Sequence, residues 1–129
     1  MVVLDTNIII DHLRQTGKGD TLLLKIAQAL PKETLALSVI TLQELYEGKS
    51  TRKVEKEEYL LATIAPLRML SYTYEIAELA GKIARDRERP IEFADAAIAA
   101  TAIISDAQLF TLDKTDFKGI GDLAFFVLS

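Results

Sequence analysis

The sequence predicts an α/β fold, a three-layer α/β/α sandwich whose central, mostly parallel sheet is flanked by helices. Three observations carry this expectation. Short apolar runs rich in β-favouring residues recur along the chain, as in "VVL" at the N-terminus. Longer stretches with apolar residues at helical spacing lie between them. Strands that alternate with helices form βαβ units, and such crossovers join parallel strands.

Taken in order, Val2, Val3 and Leu4 make the first strand, and Thr6–Arg14 reads as a helix. Thr16, Gly17, Lys18 and Gly19 break the pattern. Asp20 is the expected cap of a second helix carrying Leu23, Leu24, Ile26, Ala27 and Leu30, which ends near Pro31. Residues 35–39 form the second strand. "TLQELYEG" is a helix with Leu42, Leu45 and Tyr46 on one face, closed by Gly48. A charged amphipathic helix over 54–65 stops at Pro66, and a short strand follows at Arg68–Leu70. Over 74–87, Ile76, Leu79, Ala80 and Ile83 repeat as a helical stripe. After Pro90 comes "FADAAIAATAIIS", an alanine-rich helix suited to burial. Residues 109–112 form the next strand, "DKTDFKGIG" a loop, and residues 123–128 a final apolar strand. Internal repeats, linkers and low-complexity segments are absent from the sequence.

Composition narrows the chemistry. The chain has 129 residues, 50% of them hydrophobic, which suits one domain spanning 1–129. No apolar run approaches the ~18 residues of a membrane span, and Phe93–Ile104 is interrupted by Asp95. A basic region ahead of an apolar segment is missing at the N-terminus, so a cytoplasmic protein without membrane attachment is expected. The sequence contains no cysteine, which excludes disulfides, thiolate nucleophiles and iron–sulfur clusters. His12 is the single histidine, so a metal bound within one chain must use oxygen ligands, which suits Mg²⁺ or Mn²⁺. The formal net charge of −4 gives no overall basic footprint for nucleic acid.

Four acids fall at element junctions: Asp5 after the first strand, Glu44 early in a helix, Asp95 at the start of the alanine-rich helix and Asp113 just past a strand. Each alone has a structural role available. Asp5 fits a helix N-cap, Thr41 to Glu44 fits a capping box, Asp95 fits a cap and Asp113 favours a turn. Together they fit something else, because strand carboxyl ends and the helix starts that follow them share one edge of a parallel sheet, where ligands bind. Carboxylates converging there without a cationic partner repel one another unless a cation neutralises them. Acid-bound metal ions have an established use in hydrolysing phosphodiesters, and that use needs neither cysteine nor a serine–histidine pair.

The stretches "VVLDTNIIIDHL", "LSVITLQELYEG", "FADAAIAATAI" and "LFTLDKTDF" occur in that order and bracket nearly the whole chain. In this the sequence resembles the PIN-domain family, and within it the VapC-type toxins of prokaryotic toxin–antitoxin pairs. The resemblance implies helices around a central parallel sheet, Mg²⁺- or Mn²⁺-dependent endoribonuclease activity on an RNA substrate, and inhibition by a small antitoxin. It also implies a homodimer. By position it assigns the acidic set to Asp5, Glu44, Asp95 and Asp113. Thr6 or Asn7 orients the first carboxylate, Thr111 lies beside the metal, and Asp116 substitutes for or supports Asp113. One departure is "IISDAQLFTL", where many relatives place a glycine before the late strand.

Other residues have plainer readings. His12 is read as a solvated helix residue and Glu47 as part of a solvated face. "STRKVEKEE" is an exposed helix start. Arg85, Arg87 and Arg89 fit either RNA phosphate contacts or a solvated helix end, and Tyr46, Tyr72 and Tyr74 fit packing better than base stacking. Four other functions use parts of this pattern. A PIN nuclease that processes RNA without an antitoxin shares every motif. A receiver module needs paired acids after the first strand, where this chain has Thr6 and Asn7, and a haloacid-dehalogenase-like phosphatase needs D-x-D, where Asn7 replaces the second aspartate. A non-catalytic acidic Mg²⁺-binding module remains open from sequence.

Overall fold

The computed structural model describes residues 1–15, 17 and 19–129. Thr16 and Lys18 of the expected break therefore lie outside the described residues. The elements are β1 (Val2–Leu4), α1 (Thr6–Arg14), α2 (Leu22–Ala29), β2 (Leu35–Ser38), α3 (Val39–Glu47), α4 (Val54–Ile64), β3 (Arg68–Leu70), α5 (Tyr74–Asp86), α6 (Phe93–Ile104) and β4 (Gln108–Phe110), with 3₁₀ turns at Lys49–Arg52 and Lys114–Phe117. The strands pair in the order β3-β2-β1-β4, and every pairing is parallel. The expected architecture is thus present.

Side-chain alternation along β1 divides the core. Val2 and Leu4 join Ile8 and Ile9 of α1, Ile26 of α2, Leu45 of α3 and Leu60 of α4 on one face of the sheet. Val3 points the other way, onto Ile98, Ala99 and Ala102 of α6. Covering on both faces explains why the central strands β1 and β2 read as apolar runs, whereas the edge strand β3 is largely exposed. The helix α6 is itself enclosed, with Ala96 and Ala100 packed on Ile76 and Ala80 of α5. Small side chains let these two helices approach closely, and the buried hydroxyl of Thr101 is satisfied by donating to the Ala97 carbonyl at 2.7 Å. Ala100 is fully buried, so Ala100→Leu is expected to overpack the α5–α6 seam and destabilise the chain by about 2 kcal/mol. A lowered urea midpoint with an unchanged slope is the check.

Several local expectations are corrected. Thr21, not Asp20, caps α2, because the helix starts at Leu22 and the Thr21 hydroxyl accepts from Leu24 N at 3.3 Å. The capping box from Thr41 to Glu44 does not form: α3 begins two residues earlier, at Val39, and Ser38 caps it by accepting from Ile40 N at 3.1 Å. Asp95 is not a cap either, since α6 starts at Phe93 and Asp95 falls within its first turn. The final strand over 123–128 reduces to one parallel bridge between Leu109 and Phe125. Its apolar residues are spent on packing instead, with Phe126 edge-on to Phe110 at 5.5 Å and Leu123 and Phe125 against the α6 side. At the departure before β4, Asp106 takes a positive φ of 53°, a left-handed conformation that glycine adopts freely and aspartate tolerates.

His12 is less solvated than its sequence reading implies. Its Nδ1 lies 2.7 Å from the Thr21 hydroxyl and its Nε2 lies 3.1 Å from the Tyr59 hydroxyl. Asp11 likewise serves structure, accepting from Leu22 N at 3.2 Å. These contacts tie α1 to α2 and α4, away from the acids described next.

Candidate active site

Parallel pairing in register places the carboxyl ends of β1 and β4 side by side, with Leu4 opposite Phe110. Asp5 and Thr111, the next residues of each segment, therefore meet. Asp5 is 5% exposed; its Oδ1 accepts from Thr6 N at 2.8 Å and its Oδ2 accepts from the Thr111 hydroxyl at 2.7 Å. Thr111 in turn accepts from Asn7 Nδ2 at 3.4 Å and from Asp113 N at 3.0 Å, so its single proton is directed at Asp5. Asn7 also accepts from Leu112 N at 3.3 Å, binding α1 to the segment after β4. The helix-cap reading of Asp5 is thus only partly used, because one carboxylate oxygen is turned toward β4.

The carboxyl end of β2 contributes through α3. The Thr6 hydroxyl donates to Glu44 Oε1 at 2.6 Å. It stands 2.9 Å from the Thr41 hydroxyl, and since its own proton goes to Glu44, Thr41 donates to it. A relay Thr41–Thr6–Glu44 results, with Thr41 fully buried. Sequence reading gave Thr41 a capping role; the signal it missed was Ser38, a better cap at the end of the strand, which moves Thr41 into the helix.

Asp95, in the first turn of α6, is half-buried. Burial, followed by the charges of Asp5, Asp116, Glu92 and Glu44, pushes its carboxyl up to about 7. Asp5 is also raised, chiefly by burial and further by Glu44 and Asp116, against the opposing hydrogen bonds from Thr111 and Thr6. Asp5, Glu44, Asp95 and Asp116 therefore share one region of negative potential. Asp113 is different: its carboxylate is not among the charges that raise Asp5 or Asp95, and it acts through its backbone N on Thr111. Asp116 sits in the 3₁₀ turn Lys114–Phe117, anchored by Phe117, which is 1% exposed.

Among the described residues, no ion pair involves any of these four acids. Nor do three of them stand close enough, as the side chains lie, to hold one metal ion. Glu44, Asp95 and Asp116 are at least partly exposed, so these side chains have room to reorient. As a donor set, carboxylates with hydroxyl support fit a hard divalent cation.

The raised Asp95 has a measurable consequence. An unfolded chain releases this proton near 3.8, whereas the folded, metal-free chain holds it to about 7. Between those values the folded state binds more protons, so stability falls as pH rises through that window and levels off above it. Melting temperatures of chelator-treated protein are expected to show this decline, and Asp95→Asn is expected to flatten it relative to wild type.

The fold has known relatives. Residues 2–123 match the model of the PIN domain. Ribonuclease VapC19 of Mycobacterium tuberculosis is 32% identical over 127 residues, covering 95% of this chain and 97% of the relative. Plasmid stability protein StbB of Pseudomonas syringae pv. tomato is 37% identical, with 94% of each chain covered. Among solved structures, VapBC2 from Rickettsia felis, bound to a DNA fragment from its promoter, superposes with a TM-score of 0.84 at 25% identity, covering 98% of both chains. The chain belongs to the PIN-domain family.

Proposed function

We propose that this protein is a metal-dependent endoribonuclease, the toxin of a toxin–antitoxin pair, with Mg²⁺ or Mn²⁺ as its cofactor. The observation that carries the reading is the convergence of Asp5, Glu44, Asp95 and Asp116 from four separate segments into one region of mutual charge repulsion, with no ion pair to any of them among the described residues. Such repulsion is costly unless a cation relieves it. Similarity to a relative named as a ribonuclease supports RNA as the substrate class, and similarity to a VapBC structure supports an antitoxin partner. Homodimerisation belongs to the same reading. No helix among the described residues is long and apolar enough to cross a membrane.

In this mechanism Asp5, Asp95 and Asp116 would hold the cation, Asp116 rather than Asp113 because it lines one cavity with Asp95 and its charge also reaches Asp5. When bound, the metal neutralises charge developing on the phosphodiester and makes water a nucleophile at neutral pH. Asp5 is held in place by Thr111 and the Thr6 amide. Glu44 keeps one oxygen on the Thr6 hydroxyl and offers the other to the cation or to the attacking water, whose proton it receives. Without metal Asp95 keeps its proton up to about 7, so binding a cation there would release that proton and would strengthen as pH rises toward that value.

The test is incubation of the purified protein with labelled single-stranded RNA in Mn²⁺, in Mg²⁺ and in a chelator. Internal cleavage that requires the metal is expected. Intact RNA in all three, from folded protein freed of any partner, contradicts the activity. A short upstream reading frame for a DNA-binding protein distinguishes a toxin from a processing nuclease.

A further inference from the structure

With a net charge of −4, the chain must hold a polyanion through local cations. The sequence offers three arginines at alternate positions before α6, and the structure separates them. Arg85 is fully engaged by Asp86, its Nε and Nη2 donating to the two carboxylate oxygens at 2.7 and 2.8 Å. Arg87 is directed at backbone: its Nε donates to the Lys118 carbonyl at 3.2 Å and its Nη2 to the Thr115 carbonyl at 3.5 Å. These two carbonyls flank Asp116, so Arg87 braces the turn that carries the fourth acid. Arg89 is exposed and has neither a hydrogen-bond nor an ion-pair partner among the described residues. One cavity of about 230 Å³ has Arg87, Arg89, Pro90, Glu92, Asp95 and Asp116 in its lining.

We propose that Arg89 is a substrate-binding residue, which takes an RNA backbone phosphate next to the one being cleaved. This rests on the nuclease reading and adds to it the side from which the strand is held. A guanidinium without an intramolecular partner has a fork of donors that matches phosphate oxygens. Its place on the wall shared with Asp95 and Asp116 puts that phosphate beside the acids rather than elsewhere on the surface. Arg85 and Arg87 carry the same charge, but their donors are committed.

Fluorescence anisotropy of a labelled twelve-nucleotide single-stranded RNA, with Ca²⁺ replacing the catalytic metal, gives the affinity and its salt dependence. Arg89→Ala is expected to weaken binding about fivefold and to make the slope of log K against log salt shallower by about 0.7, the loss of one phosphate contact to a single strand. Arg89→Lys is expected to keep the slope. Arg85→Ala, which removes the same charge from an occupied guanidinium, is expected to match wild type. Equal slopes for Arg89→Ala and wild type overturn the assignment, and so does an equal loss in Arg85→Ala, which marks a general charge effect. If wild type cleaves RNA in Mn²⁺ while Arg89→Ala binds unchanged, only this inference falls; if wild type neither binds nor cleaves RNA, the nuclease reading falls with it.

Discussion

Asp5→Asn is expected to lower kcat/KM for RNA by at least ~10³-fold, about 4 kcal/mol of transition-state stabilisation, while leaving the fold intact. The asparagine is nearly isosteric and its oxygen can still accept from Thr6 N, so one of the two contacts to Asp5 survives. The other is altered, because an amide donor then faces a Thr111 hydroxyl that already accepts from Asn7 and Asp113. That mismatch costs about 1 kcal/mol, offset by removing a buried carboxyl whose ionised form is penalised. Activity and stability are thereby separated. Circular dichroism and melting temperature near wild type, with cleavage gone, is the expected pair of results; substantial cleavage removes Asp5 from the mechanism.

The second large effect distinguishes two nearby aspartates. Asp116→Asn is expected to reduce cleavage about 10²-fold, because it removes one of the three carboxylates proposed to hold the cation. Asp113→Asn is expected to stay within about threefold of wild type, since the backbone N of residue 113, not its carboxylate, supports Thr111. Steady-state kinetics on one RNA substrate settles the comparison. The reverse ranking returns the fourth position to Asp113, as the T-x-D spacing alone suggests.

That pair shows where sequence reading reaches and where it stops. The centre of the sheet was legible because both its faces are covered there, so Val2–Leu4 and Leu35–Leu37 read as apolar runs. That Asp5 and the segment around Asp113 share one edge followed from parallel strands ending together, whereas the contact of Asp5 with Thr111 is visible only in the structure. The choice between Asp113 and Asp116 was not legible, since it depends on a 3₁₀ turn fixed by burial of Phe117 and by Arg87 from another segment. The same holds for Thr41, whose role depends on whether α3 starts at Ser38 or three residues later. The segment over 123–128 carried the apolar pattern of a strand but packs more than it pairs, because periodicity reports burial and not hydrogen bonding. The three arginines before Pro90 looked equivalent in sequence; only their partners divide them.

Calorimetric titration of Mn²⁺ into the chelator-stripped protein near pH 6 tests the central claim most directly. Saturable binding with proton release is predicted for wild type, because Asp95 is largely protonated there. Binding lost in Asp5→Asn and weakened in Asp116→Asn, but kept in Asp113→Asn, completes the prediction. Wild-type protein that takes up no Mn²⁺, or an Asp5→Asn variant that binds it as tightly as wild type, contradicts the account.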